Sequence, residues 1–330
     1  MIIAEVGQAH DGSLGNAHAY IDALADTGVD AIKFQTHIAE AESSEFEPFR
    51  IKFSKQDKSR FDYWKRMEFT PSQWQELRDH CKEKKLKFIS SPFSIAAVEL
   101  LAKIDVDLFK IGSGEVKNHL LLEIIGQTQK PIILSSGMSS MHELADTISF
   151  LKKFTNKLSV LQCTTAYPTI PNQWGLNVIK ELKERFNLPT GFSDHSGDIF
   201  ACLAAAAHGA EIFEFHVVFD KRQFGPDSSA SITIDQTKQL CLGIRQIQES
   251  LFSPVQKDDT EKYEGLKSMF GKSLAVNKDL PKGHEIVLSD LETKKPGNRG
   301  IPAYDYHSVL GKTITVDLKK WDFLTSKHIR

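Results

Sequence analysis

Short apolar runs alternate with amphipathic stretches from the first residues to about residue 251. The apolar runs have strand length, and the stretches between them place apolar residues at helical spacing, so the chain reads as repeated strand–helix units. Predicted strands cover Ile2 to Val6, Ala31 to Phe34, Lys87 to Ser90, Leu108 to Ile111, Ile132 to Leu134, Leu158 to Gln162, Thr190 to Phe192 and Glu211 to Val217. Helices are predicted from Leu14 to Thr27, from near Pro71, from Ile95 to Lys103 and from Leu120 to Thr128. Four more follow, at Met141 to Phe154, Leu176 to Phe186, Ile199 to Ala207 and Gln236 to Leu251. Thr70 suits an N-cap with Pro71 at the first helical position, and Gly209 suits a helix end. Strand–helix units in this unbroken succession predict an α/β fold in which a parallel sheet closes into a (β/α)₈ barrel. An open doubly wound sheet is the competing architecture, and no GxGxxG follows the first strand to favour it.

Two stretches break the pattern. Residues 37–70 are polar and too long for a structureless loop, which predicts a functional cover with some local structure. After residue 251 the composition shifts, and 252–271 read as a polar linker. Residues 272–330 carry turn signals at Pro281-Lys282-Gly283, Pro296-Gly297-Asn298 and Gly311, which predict a small β-rich module. The expected domains are thus 1–251 and 272–330.

Bulk properties narrow the partners. The 330 residues are 41% hydrophobic and 25% charged with a formal net charge of −2, which gives no reason to expect nucleic acid or a membrane surface. No apolar run approaches the ~20 residues of a membrane span. The start, MIIAEVGQAHDG, lacks a basic leader and reads as a buried strand. Cys81, Cys163, Cys202 and Cys241 are scattered without a CxxC pair, so reduced thiols and a cytoplasmic location are expected.

In a barrel, chemistry sits at the C-terminal ends of the strands. Those positions hold Glu5; Lys33 and Gln35; Ser90 and Ser91; Lys110, Ser113 and Glu115; Ser135 and Ser136; Thr164, Thr165 and Tyr167; Ser193, Asp194 and His195; and Glu214 and His216. Polar residues after strands are ordinary. Lysines inside apolar strands, in AIKFQT and LFKIGSGE, are not, because a buried ammonium must find an anion or reach water. Converging with serine hydroxyls they would form a phosphate and carboxylate pocket; alternatively each is simply paired to a local carboxylate. His195 and His216 end neighbouring strands and could share a divalent ion, with Glu5 or Glu115 and water completing its shell. The alternative is that they bond only to backbone or carboxylates. His10 could face the same mouth.

Several segments together resemble the sialic acid synthase family, whose bacterial members make N-acetylneuraminic, legionaminic or pseudaminic acid. They are IIAEVGQAHDGS, GVDAIKFQT, FISSPFS, FKIGSGE, PIILSSGM, QCTTAYPT, GFSDHS, EFHVVFDK followed by GPD, and KKPGNRGI, in the family's order over nearly the whole chain. The resemblance implies a barrel fused to an antifreeze-like (SAF) module, in a domain-swapped homodimer whose small domains cover the partner's barrel. It implies a transferase that condenses phosphoenolpyruvate with an N-acylated amino sugar, using Mn²⁺, Mg²⁺ or Co²⁺, and releases phosphate. Carried over by position, Lys33, Ser91, Lys110, Ser113, Ser135 and Ser193 match phosphoenolpyruvate-binding positions. His195 and His216 match metal ligands. Gln35 matches a residue near metal and substrate, Glu5 a catalytic carboxylate, Glu115 a second one, and Tyr167 and Asp227 sugar contacts.

Three departures fall at substrate-facing positions. Ala9-His10 stands where the family usually has Asn-His, Thr165 where some members have a sugar-contacting Asn, and Lys295 where the lid carries arginine, with Arg299 four residues on as a candidate substitute. Lysine does not reproduce arginine's planar two-pronged contact. These differences point, within the family, toward the 2,4-diacetamido-2,4,6-trideoxyhexoses over N-acetylmannosamine. A sister condensation on a phosphorylated sugar and a non-catalytic sugar-binding homologue are the competing functions.

Overall fold

The computed structural model describes residues 1–51 and 53–330. Two compact units divide between Ser253 and Pro254. In the first, eight parallel strands follow one another in order: β1 (Ile2–Gly7), β2 (Ala31–Thr36), β3 (Lys87–Pro92), β4 (Leu108–Ile111), β5 (Ile132–Ser135), β6 (Leu158–Cys163), β7 (Thr190–Asp194) and β8 (Ile212–Val218). Pairing of β1 with β8 closes the sheet, so the architecture is the expected barrel; a two-residue strand, β9 (Ile232–Thr233), adds to β8 beyond it. No helix among the described residues is long and apolar enough to cross a membrane.

The helices are α1 (Leu14–Ala25), α2 (Ala39–Glu42), α3 (Arg60–Met67), α4 (Pro71–Glu83), α5 (Ile95–Lys103), α6 (His119–Gln127), α7 (Met141–Leu151), α8 (Leu176–Phe186), α9 (Phe200–Ala207) and α10 (Ile234–Phe252). Thr70 caps α4 as its sequence implies, accepting from the Gln73 N–H while the Gln73 side chain returns to the Thr70 N–H. The 37–70 stretch contains α2 and α3, so the long excursion has local structure. Ser59 and Asp62 form a capping box at the start of α3, and Tyr63, Trp64 and Met67 bury one side of it against Ala39.

Alternation along the strands sorts the core into two regions. Outward residues such as Ile2, Ala4, Phe34, Phe88, Phe109 and Phe213 pack beneath Tyr20, Trp74 and Leu101 of the helices. Inward residues form a separate apolar plug of Ile3, Ala31, Ile89, Leu108, Ile133, Leu161 and Ile212. Two residues further along each of these strands the inward position turns polar: Glu5, Lys33, Ser91, Lys110, Ser135, Cys163 and Glu214. Several strands therefore run one or two residues past their expected ends. An apolar pattern stops at Gln35, Ser91, Ser135 or Ser193, but the backbone ladder continues through them.

The second unit, Pro254–Arg330, has its own core of Leu274, Val276, Leu280, Ile286, Val309, Ile314, Leu318 and Leu324. Its one regular sheet pairs β10 (Ser273–Val276) with β11 (Leu291–Lys294) antiparallel. The stretch read as a polar linker is partly ordered: α11 spans Glu264–Phe270, and the Gly297 N–H donates to Ser268 O at 2.9 Å. This helix has seven residues and buries none of them, so it lacks the apolar stripe that would mark it in sequence.

Gly191 tests how tightly the barrel is closed. A Cβ there would lie 2.1 Å from Ile212 O and 2.6 Å from Leu161 Cδ2, and the carbonyl cannot move without breaking the β7–β8 ladder. Gly191→Ala is expected to cost about 3 kcal/mol, a fall of about 6–12 °C in thermal midpoint for a domain of this size. An unchanged melting curve would show that the strands have room to part.

Candidate active site

Parallel register places unlike charges side by side. Glu5 is level with Lys33 on one side and His216 on the other, and Ser193 is level with Glu214. Lys33 Nζ donates to Glu5 Oε1 at 2.6 Å and lies 3.5 Å from Glu214 Oε1; Lys110 Nζ donates to Glu214 Oε1 at 2.8 Å. All four side chains are about 97% buried or more. Burial alone would raise the Glu5 carboxyl, but Lys33, His216 and Lys110, with a hydrogen bond from Gln35, hold it well below the usual carboxylate range. Burial would likewise lower Lys33, and Glu214 and Glu5 instead raise it. The two readings of the strand lysines are therefore compatible, since each is paired and both line one cavity. Glu214, which the strand-end inventory contained without a role, is the hub of the cluster. Its Oε1 also accepts from Ser193 Oγ at 3.2 Å, while its buried Oε2 has no hydrogen-bond partner.

These groups lie in a cavity of about 400 Å³ at the strand ends. Gln35, Ser91, Ser113, Glu115, Ser135, Thr165, Tyr167, Ser193, His195, His216 and Asp227 line the same cavity. Thr165 and Ser113 close around Gly137, where a Cβ would lie 2.4 and 2.5 Å from their hydroxyls. Burial pushes the half-buried Glu115 carboxyl up, against a 2.7 Å hydrogen bond from Asn118. Lys295 and Arg299 belong to the second unit. There Lys295 Nζ lies 5.2 Å from the Phe270 ring centre, and the Arg299 N–H donates to Ser273 Oγ at 3.3 Å. His10 does not face the mouth: it is buried against Phe69 at 4.8 Å between ring centres, and burial brings it down to about 3.

The His195 and His216 rings are 5.4 Å apart. His195 Nδ1 meets Thr164 O at 2.9 Å, so it carries the proton and leaves the Nε2 lone pair free. Burial, reinforced by His216, lowers His195 to about 4, which keeps it neutral and able to donate to a cation. His216 Nε2 lies 3.4 Å from Glu5 Oε2. Among the described residues no three His, Cys, Asp or Glu side chains form a closed metal cage. The two imidazoles are the donors present for a divalent ion, and water and substrate would have to fill its remaining positions.

The 37–70 excursion supplies a wall that strand-end reasoning missed. Arg50 lies 4.1 Å over the Tyr167 ring and pairs with Asp227, and Tyr167 stacks on His195 at 4.1 Å. Arg60, Glu47, Glu42, His37 and Trp64 complete that wall. The clustering of aromatic and charged residues in FRIKFSKQDKSRFDYWKRM was the available signal.

Comparison with known proteins gives a consistent result. The NeuB family model matches residues 20–256 and the SAF domain model residues 271–330. The N,N'-diacetyllegionaminic acid synthase of Campylobacter jejuni is 36% identical over 326 residues, 97% of each chain. The human N-acetylneuraminate-9-phosphate synthase is 32% identical over 331 residues, covering 99% of this chain and 92% of its own. A crystal structure of N-acetylneuraminic acid synthetase from Leptospira borgpetersenii superposes with a TM-score of 0.71 at 29% identity, over 80% of this chain and 89% of that one.

The buried charge cluster predicts a specific stability pattern. Glu214→Gln leaves Lys110 without a carboxylate and is expected to cost about 3–5 kcal/mol in urea denaturation, much of it regained when Lys110→Met is added. Additive losses would mean that the two side chains do not depend on each other.

Proposed function

Because the chain belongs to the NeuB family, with a C-terminal SAF domain, we propose that it is a transferase condensing phosphoenolpyruvate with an acylated amino sugar to give a nonulosonic acid and phosphate. One observation carries the reading: two lysines, a ring of serine hydroxyls and two imidazoles open into a single cavity. Lys33 and Lys110, with Ser91, Ser113, Ser135 and Ser193, hold the phosphate and carboxylate of phosphoenolpyruvate. His195 and His216 would hold a divalent ion such as Mn²⁺, Mg²⁺ or Co²⁺, which when bound would polarise the sugar's aldehyde oxygen.

In the reaction, the methylene carbon of phosphoenolpyruvate bonds to the aldehyde carbon, and the aldehyde oxygen takes up a proton. Water adds to the central carbon left electron-poor, and the bond to the phosphate oxygen breaks. Glu5 takes one proton from that water and returns it to the sugar oxygen, and the water's second proton leaves with the phosphate as the ketone forms. The Glu5 carboxylate is ionised because the lysines hold it so, and once substrate anions engage Lys33 and Lys110 that pull weakens and Glu5 becomes a better base. Gln35 orients Glu5, Glu115 positions water or sugar hydroxyls, and Tyr167, Asp227 and Thr165 contact the sugar. Holding both reactants in line supplies much of the rate.

The sugar we assign is unphosphorylated, and a 2,4-diacetamido-2,4,6-trideoxyhexose is favoured over N-acetylmannosamine. The cavity lining carries Lys33, Lys110, Arg50 and Arg60 against six carboxylates, and both arginines are already paired. Among the described residues that wall offers a second phosphate no unpaired cation. The name of the human relative makes the phosphorylated sugar the second reading to test. Lys295 and Arg299 are assigned to a lid that covers the partner's barrel in a domain-swapped homodimer.

Incubation with phosphoenolpyruvate, Mn²⁺ and each candidate sugar, read as inorganic phosphate, is expected to give turnover with a diacetamido sugar or N-acetylmannosamine and little with N-acetylmannosamine 6-phosphate. No phosphate from any sugar would overturn the assignment. Chelation, His195→Ala or His216→Ala is expected to abolish turnover with an unchanged circular dichroism spectrum. Metal-independent turnover in either variant would remove those ligands. Light scattering on the intact protein is expected to give a dimer, and a monomer at assay concentration would exclude a lid contributed by a partner.

A further inference from the structure

A second polar network runs from Glu5 along the cavity wall formed by β1, β2 and the excursion. Gln35 Nε2 donates to Glu5 Oε1 at 2.6 Å, and Gln35 Oε1 accepts from Gln8 Nε2. The same Gln8 amide reaches His37 Nε2 at 3.1 Å, and His37 Nδ1 meets Glu42 Oε1 at 2.6 Å. Gln8 and His37 are more than nine-tenths buried. The His37 ring is clamped between Trp64, 3.7 Å away at 15°, and Phe93, 4.5 Å away at 6°. It can slide but not turn out of that plane.

The network has a single consistent direction. An ionised carboxylate only accepts, so Glu42 places the proton on His37 Nδ1. The Gln8 NH₂, which donates to Gln35 Oε1, also faces Nε2, so Nε2 is the accepting nitrogen. The 3.3 Å approach of Gln35 Oε1 to His37 Nε2 is that of two atoms sharing one donor amide. With its oxygen so occupied, Gln35 presents its N–H to Glu5. A flipped Gln35 would set its carbonyl against the Glu5 carboxylate. Hydrogen-bond chains of this kind hold a reacting group in orientation through residues that take no part in the bond changes themselves.

We propose that His37, Gln8 and Glu42 are positioning residues that fix the orientation of Gln35 and, through it, of Glu5. This rests on the reading of Glu5 and Gln35 as groups of the reaction centre. It accounts for why the 37–70 excursion returns a histidine into the barrel wall immediately after β2.

Two substitutions separate the network from the clamp. His37→Phe keeps a ring between Trp64 and Phe93 but loses both nitrogens, whereas His37→Gln keeps a donor and an acceptor but loses the ring. Positioning predicts a kcat about 10- to 100-fold lower in His37→Phe with KM for phosphoenolpyruvate little changed, and recovery of most of the loss in His37→Gln. A purely structural His37 gives the reverse, near-normal kcat in His37→Phe and a lowered thermal midpoint in His37→Gln, and would overturn the proposal. A second readout needs no turnover. The ¹⁵N shifts of the His37 ring in the intact protein are expected to report a neutral Nδ1–H tautomer that Glu42→Leu abolishes. An Nε2–H tautomer or an imidazolium at neutral pH in the parent protein would overturn it as well. Absence of turnover in the parent protein bears on the proposed reaction, and the ring shifts then decide the network alone.

Discussion

Two ammonium groups and two carboxylates meet in the upper interior of the barrel, and no member of that quartet could be buried without the others. An isolated ion moved from water into such an interior would neutralise or draw water in. Here each lysine contacts a carboxylate, and Glu214 serves both lysines from one oxygen. The arrangement is possible because parallel strands in register set Glu5 beside Lys33 at equal height. Below this level the barrel is filled by an apolar plug that keeps water out, so the charges act on one another in a medium of low polarisability and on anything that enters from above.

How much of this the sequence disclosed depends on whether a feature is local. Strand and helix order, the barrel and the SAF unit follow from periodicity, capping residues and motif order, all short-range or additive signals. Lys33 and Lys110 stand out because an ammonium in an apolar strand is out of place, and His195 and His216 because they end neighbouring strands. Glu214 does not, since the second of two carboxylates in EIFEFHVV reads as an ordinary strand-end group until the fold brings it to Lys110, 104 residues away. The wall made by Arg50, His37 and Trp64 was equally hidden, because the pairing of an excursion with a distant loop leaves no period in the sequence. Seven-residue α11 escaped for another reason: with no buried face it has no stripe to detect.

The site joins two kinds of chemistry. On one side paired charges and hydroxyls form a rigid, strongly polar floor. On the other, Arg50 over Tyr167 and Tyr167 over His195 make a stacked column from the excursion to the imidazoles. The floor comes from strands locked on both edges. The column comes from an excursion whose own small core of Ala39, Tyr63, Trp64 and Met67 holds it in shape.

That separation has an evolutionary consequence. On the proposed reaction, the stretch between β2 and α4 shares the sugar-facing wall with Thr165, Tyr167 and Asp227, while the strands carry the groups for phosphoenolpyruvate. Mutation can redraw the outline of the wall without disturbing a single rung of the sheet ladder. Under that reading a lineage would exchange one hexose for another while its phosphate chemistry stays fixed, and a library over the excursion that spares His37 and Glu42 would sample that same freedom in the laboratory.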